Sequence, residues 1–226
     1  MIAEDLGNGL NVAPSALCVE FFHTSSLIAA DLPCMDNDDL RRGKPTLHKV
    51  YNEGHALLTG DYLLTHAFQL LCEAPHLTAE QKVDLIHTLS QAIGGNGMVG
   101  GQVVDIASEG KPLDWDTLHF MHSGKTASLI ATSFEFGAII ANAPTSDRSL
   151  LRNAGTQLGL AFQIIDDILD HSDSPQKASA VSLLGQTQAQ STAEQLLKSA
   201  CDLISQLSVP ATQLLDLANK LIFRKN

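Results

Sequence analysis

The chain has 226 residues, of which 44% are hydrophobic and 17% charged, and 25 acidic against 14 basic side chains give a formal net charge of -11. This apolar content is too high for a disordered chain, and the acidic balance provides no excess of Lys and Arg to neutralise phosphates, so we expect no nucleic-acid partner. The four cysteines, Cys18, Cys34, Cys72 and Cys201, form no CxxC pair. They indicate neither a zinc site nor a disulfide framework and predict a reducing, cytoplasmic location. We expect no stable membrane span and no signal peptide.

Apolar residues recur at helical spacing along nearly the whole chain, whereas alternating strand patterns are almost absent. Thr78 and Gln81 form a capping-box pattern, and Asp114 is typical of a helix cap. Without a fixed-period repeat or a long linker, residues 1–226 are predicted to form one all-α domain, a bundle of antiparallel helices. In chain order, the predicted helices cover residues 11–30, 53–73, 78–93, 98–107, a short one capped by Asp114, 124–142, 146–170, 187–207 and 210–223.

Four polar side chains interrupt the apolar pattern at the end of the helix predicted at 146–170. Gln163, Asp166, Asp167 and Asp170 fall within a sector of about 100° of a 3.6-residue helical period. Carboxylates crowded on one face repel each other, and hard cations such as Mg²⁺ bind oxygen ligands of this kind. The cluster therefore predicts a magnesium site, with a solvated helix face as the alternative.

A second acidic cluster follows the first predicted helix. Asp31 and Asp36, with further acidic residues after them, precede the pair Arg41-Arg42. Carboxylates can hold a metal, and guanidinium groups suit bidentate contacts with phosphate. Taken alone, this segment is equally typical of a charged surface loop with internal ion pairs.

In this order in a helical chain, residues 26–49 and 159–170 resemble the two aspartate-rich motifs of the trans-polyprenyl diphosphate synthases. The similarity is greatest to geranylgeranyl and short-chain farnesyl diphosphate synthases, and it extends from about Val12 to Gly185. Two short motifs, Gly-Gly-Gln at 100–102 with Asp105, and Lys125-Thr126, occur between them in the family's order. The resemblance implies an isoprenoid synthase type of helical bundle, Mg²⁺, and allylic and isopentenyl diphosphates as substrates. It also implies a homodimer, or a heteromer with an active homologue.

Residue roles follow from the same resemblance, position by position. The implied catalytic residues are Asp31, Asp36, Lys125 and Asp166. The implied metal-binding residues are Asp31, Asp36, Asp166, Asp167 and Asp170. The implied substrate-binding residues are Arg41, Lys125, Thr126 and Gln163 for the allylic diphosphate, Arg42 for isopentenyl diphosphate, and Lys177 as a retained lysine of the loop after the second motif.

The helix before the first motif is implied to set the length of the product. In the family, a bulky residue about five positions before the motif's first acidic site blocks the pocket for the growing chain. Here the corresponding residues are the small Ser25 and Ser26, and Phe22, about 12 Å along the helix axis from Ala30, is the next bulky side chain. This pattern favours a geranylgeranyl over a farnesyl product.

Three departures from the family pattern bear on activity. The first aspartate of the first motif is Ala30, which offers no oxygen to a metal. The chain is expected to lack the family's N-terminal helices with their basic segment for isopentenyl diphosphate, and the loop of residues 170–177 is shortened. The sequence therefore leaves an impaired prenyltransferase, or an inactive paralogue acting as regulatory or structural subunit of a prenyl diphosphate synthase. A weaker third option is an ionising enzyme that uses only the second motif, in the manner of terpene cyclases.

Two rival motifs fail. Gly124-Lys125-Thr126 resembles the end of a phosphate-binding P-loop, but that pattern requires glycine where the chain has His119. His119 and His122 are one turn apart, yet a partly exposed helix face is the simpler interpretation, so we assign them no role.

Overall fold

The computed structural model describes residues 1–6, 12–170 and 179–222, with side chains as far as residue 220. Helices dominate these residues, which confirms the all-α prediction. By internal contacts the chain divides into an N-terminal unit, Asn11–Lys82, and a main unit made of Met1–Leu10 and Val83–Asn226. That residues 1–226 form one domain stays a prediction.

Twelve α-helices, two short strands and one π-helical turn make up the described part of the chain. They are α1 (Ile2–Asp5), α2 (Ala13–Ala30), β1 (Leu40–Arg41), β2 (Lys44–Pro45), α3 (Leu47–Val50), α4 (Glu53–Glu73), α5 (Ala79–Ile93), α6 (Met98–Ser108), α7 (Trp115–His122), the π-turn (Ser123–Ala127), α8 (Ser128–Ile140), α9 (Thr145–Asp170), α10 (Ala180–Leu184), α11 (Gln186–Ile204) and α12 (Thr212–Ile222).

Each predicted helix has a counterpart among these elements, with ends shifted by a few residues. The sequence did not predict the hairpin β1–β2 or the short helices α1, α3 and α10, because four or five residues are too few to display a helical period. Where a helix was expected to begin at Gly124, the π-turn instead continues from α7 into α8. Asn11 and Phe223, at the ends of predicted helices, lie outside the described residues.

The predicted caps are present. Thr78 and Gln81 exchange hydrogen bonds at the start of α5, with the Gln81 N–H 3.2 Å from Thr78 Oγ1 and the Thr78 N–H 3.0 Å from Gln81 Oε1. The Asp114 carboxylate accepts a 2.8 Å hydrogen bond from the Thr117 N–H at the start of α7. Each cap satisfies a backbone donor that has no partner within the helix.

In the N-terminal unit, α2 packs along α4. The buried hydroxyl of Ser25 donates to the carbonyl of Gly60 at 2.8 Å. A Cβ atom at Gly60 would lie 3.7 Å from the nearest atom of Ser25, which is an ordinary van der Waals distance. This pairing fixes which face of α2 lies against α4.

In the main unit, α9 packs against both α8 and α11, and its Leu151 and Leu158 are almost fully buried. Two glycines allow α9 to approach its neighbours closely. A Cβ atom at Gly155 would lie 2.7 Å from Ala131 Cα, and one at Gly159 would lie 2.5 Å from Ala127 Cα. Because those distances are below van der Waals contact, only glycine permits this spacing.

The N-terminal end of α9 is tied to the loop before α12. Asp147 is 3% exposed, and its Oδ2 accepts hydrogen bonds from the Ser208 N–H at 3.2 Å and the Ser208 hydroxyl at 2.5 Å. A buried carboxylate needs such donors.

Among the described helices, none is long and apolar enough to cross a membrane.

Candidate functional site

The predicted site residues lie in two clusters, one in each unit. The motif-1 cluster lies in the N-terminal unit and follows α2. The motif-2 cluster lies in the main unit, on the π-turn and the C-terminal half of α9. Lys177, predicted to bind substrate, lies outside the described residues.

In the motif-1 cluster, an arginine joins two carboxylates. α2 ends at Ala30, and the next residue, Asp31, is 5% exposed. Arg41 pairs with Asp31 through Nη2 and through Nε at 3.0 Å, and its Nη2 is also 3.0 Å from Asp38 Oδ2. The hydrogen bonds from Arg41 to Asp31 raise the pKa of Arg41, and the charges of Asp31, Asp38 and Asp36 add to this effect against the opposing effect of burial. Asp31 therefore already has a cationic partner within the protein.

The β1–β2 hairpin separates the two neighbouring arginines. Arg41 pairs with Lys44 in the antiparallel register, so Arg42 and Gly43 form a two-residue loop. Both loop residues have positive φ, 53° at Arg42 and 75° at Gly43, as in a type I′ turn. Arg41 therefore reaches back to Asp31, whereas Arg42 stands exposed at the tip of the hairpin.

Two buried polar residues that the sequence analysis missed support this loop. The Thr46 hydroxyl donates to the Asp38 carbonyl at 2.8 Å, and the Thr46 N–H donates to the Asp39 carbonyl at 3.0 Å. His48, 8% exposed, has Nδ1 3.2 Å from Thr46 Oγ1. Since the one hydroxyl hydrogen of Thr46 goes to Asp38, His48 Nδ1 must be the donor in that pair. This chain of bonds holds the segment that carries Arg41.

The remaining acidic residue of motif 1 is differently placed. Asp36 is exposed, and Ala30 contributes no oxygen. Of the two carboxylates expected to hold Mg²⁺ here, one is thus paired with arginine and the other faces solvent. Among the described residues, no group of three or more His, Cys, Asp or Glu side chains is arranged to hold a metal ion.

The residues predicted to set the chain length lie on α2. Phe22 is 6% exposed and Ser25 is 8% exposed. The Ser26 hydroxyl donates to the His23 carbonyl of its own helix at 2.8 Å. Both serine hydroxyls thus donate to backbone carbonyls, which leaves two small side chains with satisfied hydrogen-bond donors on α2.

In the motif-2 cluster, the π-turn presents Lys125 and Thr126. The Lys125 ammonium pairs with Asp105 of α6, and the Thr126 hydroxyl donates to Gln163 Oε1 at 2.6 Å. A Cβ atom at Gly101 would lie 2.9 Å from the backbone nitrogen of Lys125, so this glycine lets α6 approach the π-turn. Gly101 and Asp105 of α6 therefore both lie next to Lys125 of the π-turn.

The three aspartates of motif 2 differ in their surroundings. Asp170 is exposed and Asp166 is half-buried, whereas the Asp167 side chain is 11% exposed. Asp167 accepts hydrogen bonds from the Ala180 N–H at 2.6 Å and from Gln163 Nε2 at 3.3 Å. Asp166 and Asp170 are one helical turn apart, and two carboxylates of this kind fit Mg²⁺, which takes its remaining ligands from water or phosphate.

His122 is the functional candidate that sequence reasoning missed. The expectation of a partly exposed helix face holds for His119 but is wrong for His122, which is 8% exposed, with Nε2 3.6 Å from Asp167 Oδ2. Burial lowers the pKa of His122, against the opposing effect of the Asp167 charge. The signal was available, because His122 lies four residues after the buried Leu118 and so shares its helix face.

Gln102 of the Gly-Gly-Gln motif also carries a feature that sequence could not reveal. Its Nε2 is buried, and it has no hydrogen-bond partner within the described part of the chain. A buried amide donor without an acceptor is costly.

Similarity to known proteins identifies the family of this chain. The family model described as polyprenyl synthetase matches residues 3–182. A chloroplastic geranylgeranyl pyrophosphate synthase from Catharanthus roseus is 41% identical over 94% of this chain, which spans 64% of that relative's length. An FPP/GFPP synthase from Zymomonas mobilis superimposes with a TM-score of 0.85 at 36% identity, covering 97% of this chain and 87% of that chain.

A further solved structure is described as a geranyltransferase from Helicobacter pylori complexed with magnesium and isoprenyl diphosphate. It superimposes with a TM-score of 0.79 at 38% identity and covers 93% of this chain and 73% of that chain. The family model extends across both units and both aspartate-rich motifs. The chain belongs to the polyprenyl synthetase family.

Proposed function

We propose that this protein is a short-chain prenyltransferase that condenses an allylic diphosphate with isopentenyl diphosphate, of the geranylgeranyl diphosphate synthase type. The observation that carries the proposal is the motif-2 cluster. There Thr126 donates to Gln163, and Gln163 donates to Asp167 of α9. Lys125, the neighbour of Thr126 in the π-turn, pairs with Asp105 of the same unit. Membership of the polyprenyl synthetase family supports the same activity.

In the proposed reaction, the allylic carbon–oxygen bond breaks and its electron pair leaves with the diphosphate. The double bond of isopentenyl diphosphate then attacks C1 of the allylic cation. The attack leaves a cation at C3 of the isopentenyl unit, and loss of a proton from its C2 forms the new double bond. The released diphosphate takes that proton, so the reaction itself supplies the base. The product is one C5 unit longer, and every electron pair is accounted for without an external oxidant or reductant.

The residues of this chain act mainly by binding and neutralising charge. Arg41, Lys125, Thr126 and Gln163 would contact the allylic diphosphate, and Arg42 would contact isopentenyl diphosphate. Fixed cations and N–H donors stabilise the negative charge that develops on a leaving diphosphate. The pairing with Asp105 holds the Lys125 ammonium in one place before substrate arrives, which lowers the entropic cost of binding.

Asp166 and Asp170 would hold Mg²⁺, with Asp36 and Asp31 as the ligands expected from motif 1. Bound there, the ion would neutralise diphosphate oxygens and make the diphosphate a better leaving group. The structure gives Asp31 an arginine partner, and residue 30 is alanine. We therefore propose that the protein binds allylic diphosphate but condenses it slowly.

Small residues on α2 support a product longer than farnesyl diphosphate. Ser25 and Ser26 are small, and their hydroxyl donors are satisfied by backbone carbonyls, so neither needs a polar partner from a ligand. Phe22 is the next bulky side chain toward the start of α2. Ser26→Phe should shift the product distribution toward C15, as measured by chain-length analysis of the products.

The deciding experiment measures binding and turnover separately. Calorimetry with farnesyl diphosphate and Mg²⁺ should show binding that Asp170→Asn weakens, whereas Asp202→Asn on the exposed side of α11 should leave it unchanged. Product formation with isopentenyl diphosphate should be slow and should rise in Ala30→Asp. Absence of farnesyl diphosphate binding, with or without Mg²⁺, would refute the site. Equal turnover of the wild type and Ala30→Asp would refute the impairment.

The second candidate function is a non-catalytic subunit that partners an active prenyl diphosphate synthase. Ala30 and the Asp31–Arg41 pair favour it, because both remove metal ligands from motif 1. It predicts that adding this chain to an active homologue changes the homologue's product length while this chain alone has no turnover. Sedimentation of the purified chain, alone and with that homologue, distinguishes a homodimer from a heteromer.

A further inference from the structure

We infer that Asp167, the middle carboxylate of motif 2, is a positioning residue that orients Gln163 and anchors α10, and is not a metal ligand. The inference rests on the proposed function only for the claim that Gln163 contacts a diphosphate. It changes the expectation that all three aspartates of α9 hold Mg²⁺. The geometry around the two oxygens of Asp167 carries it.

Each oxygen of Asp167 already has a donor from the protein. Oδ2 accepts the Ala180 backbone N–H at 2.6 Å, a bond that joins residues thirteen apart in the chain. Oδ1 accepts from Gln163 Nε2 at 3.3 Å, one helical turn earlier. His122 Nε2 lies 3.6 Å from Oδ2 and occupies space beside that oxygen. With 11% of its side chain exposed, Asp167 has little surface left for a hydrated cation.

The hydrogen bond from Ala180 to Asp167 stabilises the start of α10. Ala180 is the first residue of α10, and its side chain is fully buried. The hydroxyl oxygen of the N-cap residue Ser179 accepts a hydrogen bond from the Ser182 N–H. Another acceptor must therefore satisfy the Ala180 N–H. Asp167 supplies that acceptor. Turning Asp167 toward a metal would lengthen the hydrogen bond from that N–H.

The bond to Gln163 fixes the orientation of an amide. An ionised carboxylate can only accept, so Asp167 must face the NH₂ end of Gln163, which leaves the carbonyl end for the Thr126 hydroxyl at 2.6 Å. One N–H of the Gln163 amide is then used by Asp167, and the other can donate to an anion. Without Asp167 the amide could turn over and present a carbonyl oxygen, which repels a diphosphate.

The three aspartates would then divide their roles. Asp170 is exposed at the last residue of α9 and lies one turn from Asp166, so these two fit the cation. Asp167 lies between them in sequence but bonds to protein donors. Removing Asp167 should therefore weaken diphosphate binding through Gln163 while the number of bound cations stays the same.

The first test needs no variant and no activity. By NMR, the Ala180 amide should be protected from hydrogen exchange in the wild type, and it should stay protected when Mg²⁺ and inorganic pyrophosphate are added to saturation. Loss of protection on adding both would show that the metal takes Asp167 from Ala180, and would overturn the inference. An unprotected amide in the ligand-free protein would overturn it as well. Neither result depends on whether the protein is a prenyltransferase.

The second test compares Asp167→Asn with Asp170→Asn, using Mn²⁺ and pyrophosphate as probes in electron paramagnetic resonance and calorimetry. Asp170→Asn should lower the number of bound Mn²⁺ ions. Asp167→Asn should keep that number and weaken pyrophosphate binding about tenfold, which corresponds to ~1.4 kcal/mol. A drop in Mn²⁺ stoichiometry in Asp167→Asn, equal to that in Asp170→Asn, would overturn the inference.

A double-mutant cycle separates positioning from a general loss of structure. If Asp167 acts through Gln163, then Gln163→Ala combined with Asp167→Asn should bind pyrophosphate no more weakly than Gln163→Ala alone. Independent, additive losses would contradict the proposed link. If the wild type binds neither probe, the proposed function fails, while protection of the Ala180 amide in the ligand-free protein still tests whether Asp167 anchors α10.

Discussion

Replacing Gly159 by alanine tests whether the close approach of α9 to the π-turn builds the motif-2 cluster. The added Cβ would lie 2.5 Å from Ala127 Cα and 2.8 Å from Ala127 Cβ. Carbon atoms in contact prefer about 3.5 Å, so α9 must move by about 1 Å at this point. Gln163 lies one turn further along the same face, and its 2.6 Å bond to Thr126 would lengthen beyond hydrogen-bonding distance.

The expected loss of stability combines three effects. Overpacking costs ~1–3 kcal/mol, and the lost hydrogen bond costs about 1 kcal/mol. The better helix propensity of alanine returns roughly 1 kcal/mol. We therefore expect Gly159→Ala to lower the free energy of unfolding by about 1–3 kcal/mol.

Urea denaturation followed by the fluorescence of Trp115, the single tryptophan of the chain, reports on the main unit in which Gly159 lies. The matched control is Gly60→Ala in the interior of α4, where the nearest atom to a new Cβ is 3.7 Å away. It should increase stability by about 0.5–1 kcal/mol in the same denaturation followed by circular dichroism. A Gly159→Ala protein as stable as the wild type would show that the close packing does not constrain α9.

Two further outcomes follow from buried groups. Burial raises the pKa of Cys18 to about 12, so iodoacetamide at mildly alkaline pH should alkylate the exposed Cys34 and leave Cys18 unmodified until denaturant is added. Equal labelling of both, as seen by mass spectrometry of peptides, would contradict the burial of Cys18. Asp147→Ala should lower the free energy of unfolding by roughly 2 kcal/mol, because the backbone and hydroxyl donors of Ser208 lose a charged acceptor. Asp147→Asn, which keeps one acceptor oxygen, should lose less in the same urea titration.

Local sequence signals predicted the helices well where they reflect local physics. The Thr78–Gln81 capping box and the Asp114 cap are formed as expected, because each bond joins residues three apart. The hairpin before α3 was not predicted, since its strands have two residues each. Its type I′ loop depends on positive φ at an arginine, which sequence patterns rarely indicate.

The candidate site was predicted as a list of residues, and the partners of those residues required the fold. The ion pair of Asp31 with Arg41 spans ten positions and exists because the hairpin reverses the chain. The neighbours of Asp167 come from α7 and from the start of α10, and no periodicity in α9 identifies them. His122 was judged by its polarity, although the helix face that it shares with Leu118 was the better guide.

Because of the π-turn at Ser123–Ala127, the number of residues between α7 and α8 determines where Lys125 and Thr126 lie. A π-turn contains one residue more than the α-helical path around it. Deleting one residue there would leave a continuous helix from α7 to α8 in nearly the same rotational phase, because the α-helical path needs one residue fewer. Lys125 and Thr126 lie within the turn itself, so a homologue that lost the extra residue would keep both helices and displace these two side chains.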